Sequence, residues 1–338
     1  MPAVPGRAIM RAPTWMAADM LRYCLVAVLL CAGRLACAQE QSREDAWWTG
    51  PLLAPSAATL PTGHALIEPY LYDVVTDGHF DAHGAHVAAP HEHDLGSLTY
   101  ILYGLTDRVT VGVIPRLGYN QPPNAPNSSG VGVGDFTLQA GYGLTQYQDG
   151  HDTPAIAVVV QETLPTGRYD RLSRPSDGFG SGAYQTALNL YSQDYFWMPN
   201  GRILRARLDL TYTLSSSVEV RDQSVYGTAY GFRGHAYPGD GFTADLAGEY
   251  SVTRNWVLAL DVVYQHNAST RLTSSLPPGP TDAGSSVESG SSYYLGFAPA
   301  IEYNFSARVG VIFGVRLIGI GLNTSSSVTP AVAVNMVF

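Results

Sequence analysis

The chain has 338 residues, 19 basic and 28 acidic side chains and a net charge of −9, and every basic residue is an arginine. Without lysine and with acids in excess it lacks the basic patch that phosphate binding requires, which excludes nucleic acid as a partner. Mean hydropathy is +0.00, and beyond the amino-terminal region no uninterrupted apolar run approaches the ~18 residues of a membrane helix.

Residues 1–38 read as an export signal. Arg7, Arg11 and Arg22 supply positive charge, Tyr23 to Gly33 is an uncharged, mostly apolar stretch of 11 residues, and Ala36-Cys37-Ala38 is a small-x-small cleavage site before Gln39. Met10, Met16 and Met20 offer alternative starts. Arg34 occupies the position where a lipoprotein signal carries an aliphatic residue, so ordinary cleavage is expected over lipidation of Cys37. Cys24, Cys31 and Cys37 all fall in this segment, so the expected mature part is cysteine-free and cannot be a disulfide scaffold.

Residues 39–63 form a lead with no strand period that carries Trp47, Trp48, Pro51, Pro55 and Pro61. Its aromatics need burial, so it is expected to fold into the barrel that follows and to narrow it. From residue 64 the pattern predicts twelve strands, near 64–74, 95–105, 109–117, 133–146, 154–165, 183–196, 203–214, 241–251, 256–266, 292–305, 309–320 and 327–338. The links after the even-numbered strands are short. The alternate links 75–94, 118–132, 166–182, 215–240 and 267–291 are long and rich in Gly, Ser, Pro and Asn, and only 321–326 is brief. Strict alternation of long and short ends over an even strand number predicts an all-β fold, a transmembrane antiparallel barrel of about twelve strands spanning 64–338, with long loops outside and short turns in the periplasm.

The charges say which face is which. In Leu204 to Leu214 every odd position is polar, including Arg205, Arg207 and Asp209, and every even one is apolar; Phe242 to Tyr250 repeats the pattern with Asp245 and Glu249. A one-residue slip would turn all of the strand's charges into lipid, where a basic side chain at midplane costs about 2–4 kcal/mol. The polar face therefore lines the lumen. The same reasoning assigns Glu68, Arg116, Asp135, Arg205, Arg207, Asp209, Asp245, Glu249, Asp261, Glu302 and Arg316 to the pore wall. Strands one and five are less regular, and Glu162 falls on the more aliphatic face of its strand. Tyr195, Phe196, Trp197, Tyr250, Trp256, Tyr303, Phe305 and Phe338 cluster at the short turns, with Tyr212, Tyr264 and Phe242 toward the other end, as two interfacial girdles would.

Several short motifs, in order, carry a family resemblance: Trp48-Thr49-Gly50-Pro51, Leu60-Pro61-Thr62-Gly63, Glu68-Pro69-Tyr70, Tyr103-Gly104-Leu105-Thr106-Asp107-Arg108, Gly132-Val133-Gly134-Asp135, Leu164-Pro165-Thr166-Gly167, Asp177-Gly178, Ala298-Pro299-Ala300-Ile301-Glu302-Tyr303, Gly314-Val315-Arg316 and Asn335-Met336-Val337-Phe338. Together they resemble the outer-membrane family labelled for the meta pathway of phenol degradation, and cover most of 48–338. The resemblance implies passage of small, often aromatic compounds across the bacterial outer membrane. It implies no catalytic motif. The terminal Phe338 resembles the aromatic end that the barrel-assembly machinery reads.

Other chemistry is open in the sequence. His79, His83, His86, His91 and His93, interspersed with Asp77, Asp81, Glu92 and Asp94 in the first long loop, are candidate metal ligands. Asp245 with Glu249, and Asp209 with Asp261, offer paired carboxylates, and His266-Asn267 at a strand end touches on an outer-membrane phospholipase. The favoured reading is a narrow, passive channel for small molecules that is not an enzyme and carries no cofactor. Its partners are outer-membrane lipid, the assembly machinery and a small-molecule solute, and acids outnumber arginines along its lumen. A lipid- or peptide-hydrolysing barrel and a loop-borne adhesin or receptor are the alternatives.

Overall fold

The computed structural model describes residues 40–148, 153–275 and 286–338. The expected export signal, and the parts of two predicted connections at 149–152 and 276–285, lie outside the described residues.

Twelve antiparallel strands form the wall. They are β1 (Ala65–Phe80), β2 (His86–Thr106), β3 (Val109–Ile114, resuming as Arg116–Gln121), β4 (Gly132–Val133, resuming as Phe136–Thr145), β5 (Ala155–Leu164) and β6 (Gln185–Trp197). β7 (Ile203–Ser215), β8 (Gly241–Ser251), β9 (Trp256–Asn267), β10 (Ser292–Ser306), β11 (Val309–Leu322) and β12 (Thr324–Val337) complete it. Each strand pairs with its chain neighbours, and β12 returns to β1 with Leu66 opposite Val337, Tyr70 opposite Ala333 and Val75 opposite Val328. At the seam the Phe338 N–H donates to the Ala65 carbonyl at 2.8 Å, and the Ala65 N–H returns a 3.2 Å bond to Phe338. The sheet is closed and has no free edge, the condition for backbone to sit in hydrocarbon.

Alternation along each strand sorts the side chains as the charges require. On β7 to β9 the odd-numbered residues face inward and are buried over 203–209, 245–251 and 257–263, while Leu208, Leu246, Leu258 and Leu260 face outward and are about half exposed. Leu71, Leu188, Val160, Phe313 and Val328 continue that apolar belt around the outside. Phe196, Trp256, Phe305, Tyr212, Phe242 and Tyr264 stand exposed near the strand ends. Such a barrel, with an unbroken apolar exterior and aromatic ends, is an integral protein of the bacterial outer membrane. Tyr195 departs from the expected girdle: it packs edge-on against Trp48, 6.2 Å between ring centres, and against Tyr147 at 4.8 Å.

The long connections hold more structure than their composition predicts. Residues 75–94 are not a loop: β1 and β2 run on as a ribbon, His79 opposite Val87 and Phe80 opposite His86, around a turn at Asp81–Ala85. Above the bilayer neither face of a ribbon needs to be apolar, so the period that betrays a strand is missing there. The connection expected at 321–326 shrinks to Asn323, which adopts φ 49. Segments Val218–Arg221, Arg233–Tyr237, Arg271–Ser274 and Ser286–Glu288 pair into a separate four-stranded sheet at the long-connection end.

Two strands are interrupted side by side. Pro115 has no N–H to give, and β3 breaks there; β4 breaks opposite at Gly134-Asp135, where the Gly134 N–H donates to the Arg116 carbonyl at 2.9 Å. The loop after β5 folds onto this break. Phe179 lies so close over Gly132 that a Cβ there would come within 1.9 Å of its ring, so only glycine fits.

Candidate channel interior

The lead enters the barrel at the short-turn end and crosses the bore. It is anchored first on β10. Glu302, fully buried, accepts hydrogen bonds from the Thr49 N–H at 2.7 Å and the Gly50 N–H at 3.3 Å, and Asn304 Nδ2 donates to the Trp47 carbonyl at 3.1 Å. On neighbouring β9, Asp261 collects three successive amides, from Leu52 (3.1 Å), Leu53 (3.3 Å) and Ala54 (3.0 Å). Arg207 Nη1 then donates to the Ala54 carbonyl at 2.8 Å, and the Ser56 hydroxyl to Gln193 at 3.3 Å. The strap leaves by β3, where the Leu60 N–H donates to Thr110 Oγ1 at 3.0 Å. Leu52 packs into a pocket of Ala298, Ile312 and Ala333, and Ala57 against Ala155, Val159 and Tyr191. Gly310 makes the approach possible, since a Cβ there would sit 1.9 Å from Thr49 Oγ1.

Outside the membrane-spanning wall the strap ends on Asp107, in the turn between β2 and β3. Its Oδ1 accepts from the Thr62 N–H at 2.9 Å and the Thr62 hydroxyl at 2.7 Å. The amide first, and then the hydroxyl, hold this carboxyl below its usual range.

Beside the strap the inward charges of β7 and β8 neutralise one another. Glu249 is directly opposite Arg205, which grips it with a two-pronged fork, Nε donating at 2.6 Å and Nη2 to the other oxygen. Arg207 Nε lies 3.1 Å from the same carboxylate. The Arg205 guanidinium also stacks 4.6 Å above Trp48 of the strap. Arg316 donates to the Tyr294 hydroxyl at 2.8 Å. The arginines therefore pair with Glu249 and Tyr294 rather than with the aspartates of the same wall. Nor do the carboxylates fall into the expected pairs, because Asp209 is opposite Asp245.

The remaining predicted wall residues divide. Glu68 faces inward beside Tyr70, whose hydroxyl donates to it at 3.3 Å, and Arg116 shares the inward register of Leu98. Asp135 sits in the break of β4 and holds the loop over it, accepting from the Gly167 N–H at 2.9 Å and from the Ser181 N–H and hydroxyl at 2.7 and 3.0 Å. It is a loop anchor. Glu162 faces outward and accepts from Thr186 at 2.6 Å.

The five histidines are spread over the first ribbon, His79 on β1, His83 in the turn and His86, His91 and His93 on β2. His93 Nδ1 lies 2.8 Å from Asp73, and His86 Nε2 lies 2.8 Å from Ser326, whose hydroxyl donates to Asp77 at 2.6 Å. Among the described residues no three His, Cys, Asp or Glu side chains come together as a metal-holding group. Asn267 Nδ2 reaches the Ser292 hydroxyl only at 3.5 Å.

Between the strap and the opposite wall remains a cavity of about 290 Å³ lined by Trp48 to Pro51 and Leu53 to Leu60, by Glu68, Tyr70, Tyr100, Leu102, Gln139, Gln161, Val159 and Tyr191, and by Arg205 and Arg207. Most of these wall residues escape a reading confined to charges. Their parity on each strand, shared with the inward acids, is the signal that finds them.

The family described as "Putative MetA-pathway of phenol degradation" matches residues 72–319, well over half of the chain. The chain belongs to that family. Among solved structures, this family member is similar to the COG4313 outer membrane channel from Pseudomonas putida F1, with 18% identity, a TM-score of 0.64, and 85% of this chain and 100% of that chain covered. The likeness shows the shared barrel fold. Weaker matches include the NanC porin (8% identity, TM-score 0.43, 80% and 98% covered) and a TodX monoaromatic hydrocarbon channel mutant (10%, 0.38, 87% and 95%). No curated protein sequence matches.

Proposed function

We propose that the protein is a passive outer-membrane channel for small, largely apolar molecules, its bore narrowed by the lead. The observation that carries this reading is the lined cavity inside a closed barrel: three tyrosines and aliphatic side chains with a few polar and charged groups, Glu68, Arg205 and Arg207 among them, the make-up of a site for a small, largely apolar solute. A twelve-stranded wall is intermediate between barrels filled by side chains and open aqueous pores. With the strap across it, passage is restricted to what fits beside Trp48 and Leu53. The family relationship and the outer-membrane channel from Pseudomonas putida F1 support the same class of activity. Lipid covers the outward belt, the terminal Phe338 serves assembly, and the inward acids and arginines tune the path electrostatically.

The test is solute uptake into liposomes carrying the refolded protein, with toluene-sized neutral solutes against sugars of similar mass, and conductance in planar bilayers. Uptake of the apolar solutes above empty liposomes, and a larger conductance after deletion of 39–60, are expected. No flux from either protein would refute the channel.

A further inference from the structure

Asp209 and Asp245 are the inward carboxylates that face each other and that the strap and the ion pairs leave short of partners. Glu249 is paired with Arg205 and Arg207, Asp261 accepts three strap amides, Glu302 accepts two more on one oxygen, and Glu68 accepts from the Tyr70 hydroxyl. Asp209 on β7 and Asp245 on β8 stand directly opposite each other, 4% and 6% exposed. The Ser192 amide and Arg207 are the nearest favourable company of Asp209, yet neither of its oxygens completes a hydrogen bond, and Asp245 Oδ1 completes none. Like charges facing across two strands repel. A buried carboxylate without a partner is costly and is relieved either by a proton or by a cation, and two of them side by side offer a cation acceptors from both.

The surroundings say which kind. No third acidic or histidine side chain joins the two to make a metal-holding group among the described residues. The register partner of Asp209 on its other side is Tyr191, which is also a wall of the cavity beside the strap. Tyr191 thus links Asp209 to that cavity, whose lining also carries Glu68, Arg205 and Arg207. Arg316, the nearest arginine not bound to an acid, is held by the Tyr294 hydroxyl and stacks on that ring at 5.2 Å, and could balance only one of the two charges.

We infer that Asp209 and Asp245 form a seat for the ammonium group of a small protonated amine, whose apolar body lies in the cavity against Tyr191. The seat extends the channel reading by naming a preferred solute class: amines with an aromatic or aliphatic body, ahead of their neutral isosteres. An ammonium offers three donors, enough to satisfy oxygens of both carboxylates at once.

The experiment is calorimetric titration of the full, refolded protein in detergent at pH 7 with phenethylammonium, 2-phenylethanol and ammonium chloride, beside liposome uptake of the two aromatic solutes. Saturable phenethylammonium binding at least tenfold tighter than that of 2-phenylethanol is expected, with ammonium chloride weakest. In Asp209→Asn/Asp245→Asn the two aromatics should bind alike. Each single variant should lose part of the preference, so a double variant that fails to fold leaves the test intact. Equal binding in the natural protein, or a preference that survives the double substitution, overturns the seat. So does a preference that arises only in Arg316→Gln, which would mean that Arg316 already neutralises the site. Uptake of both aromatics without an ammonium preference removes the seat and keeps the channel; amine binding without any uptake removes the channel and keeps the seat.

Discussion

The two halves of the lumen wall solve opposite problems. From β7 to β10 the wall carries Arg205, Arg207, Asp209, Asp245, Glu249, Asp261 and Glu302, and it holds the strap through charge-assisted bonds to backbone amides and carbonyls. From β1 to β6 it presents mainly Tyr70, Tyr100, Gln139, Gln161, Val159 and Tyr191, and it leaves a cavity. Charges that must be satisfied inside a barrel recruit a segment to satisfy them. A wall mostly of hydroxyls, amides and rings, with Glu68 as the acid that lines the cavity from this half, can stay unfilled, because an ordinary solute can wet it. The difference teaches that occlusion and opening within one bore follow from where the charge is placed.

The comparison breaks most readily at Glu249. Glu249→Ala leaves two buried guanidinium groups without their carboxylate, a loss of about 3–5 kcal/mol. A large fall in the denaturant midpoint of the refolded barrel is expected, and an unchanged midpoint would show that the charged half is not held by this ion triad. Asp261→Ala comes next. It strips the acceptor from three strap amides that share its two oxygens, and leaves the Glu249 ion triad in place. The strap should become cleavable by protease within 46–60 and conductance should rise, while the midpoint of the barrel moves less than for Glu249→Ala. As the control from the neutral half, Gln161→Ala should leave strap protection as it was.

A smaller effect is expected from Trp48→Ala, which removes the stack on Arg205, an interaction of about 0.5–2 kcal/mol. Faster proteolysis of the strap with the Glu249 fork retained would place the stack where the geometry puts it. The smallest effect belongs to pH. Asp107 is held below its ordinary range by Thr62, so its contribution is complete at neutral pH, above the unfolded value near ~3.9. That contribution is lost only as pH falls through the depressed folded value. Protection of the Thr62 amide, relative to its intrinsic exchange rate at each pH, should hold at neutral pH and fall only below the usual carboxylate range; a loss of protection already near pH 6 would contradict the assignment.

Much of this architecture is legible before any coordinates. The alternation in Leu204 to Leu214 places Arg205, Arg207 and Asp209 inside, and the unsatisfied aromatics of the lead place Trp48 there too. Register is what remains hidden. Whether Asp209 meets Asp245, Ala247 or Glu249 depends on turn geometry summed along two strands, and one residue of slip changes every partner. Asp135 shows a second limit: its strand breaks at Gly134, so parity no longer tells where its side chain goes. The His79 to His93 ribbon shows a third, since strands that rise out of the bilayer have no apolar face to announce them.

One consequence concerns the order of events during folding. Thr49 and Glu302 are 253 positions apart in the chain, and Leu52 and Asp261 are 209 apart. The segment made first therefore finds its acceptors only after nearly the whole wall exists. Contacts of such long sequence separation form late, because the intervening chain must first be organised. Seating of the strap is thus a checkpoint on a finished cylinder: protection of residues 49–54 should arise after strand pairing is complete, which makes it a clock for maturation of the barrel.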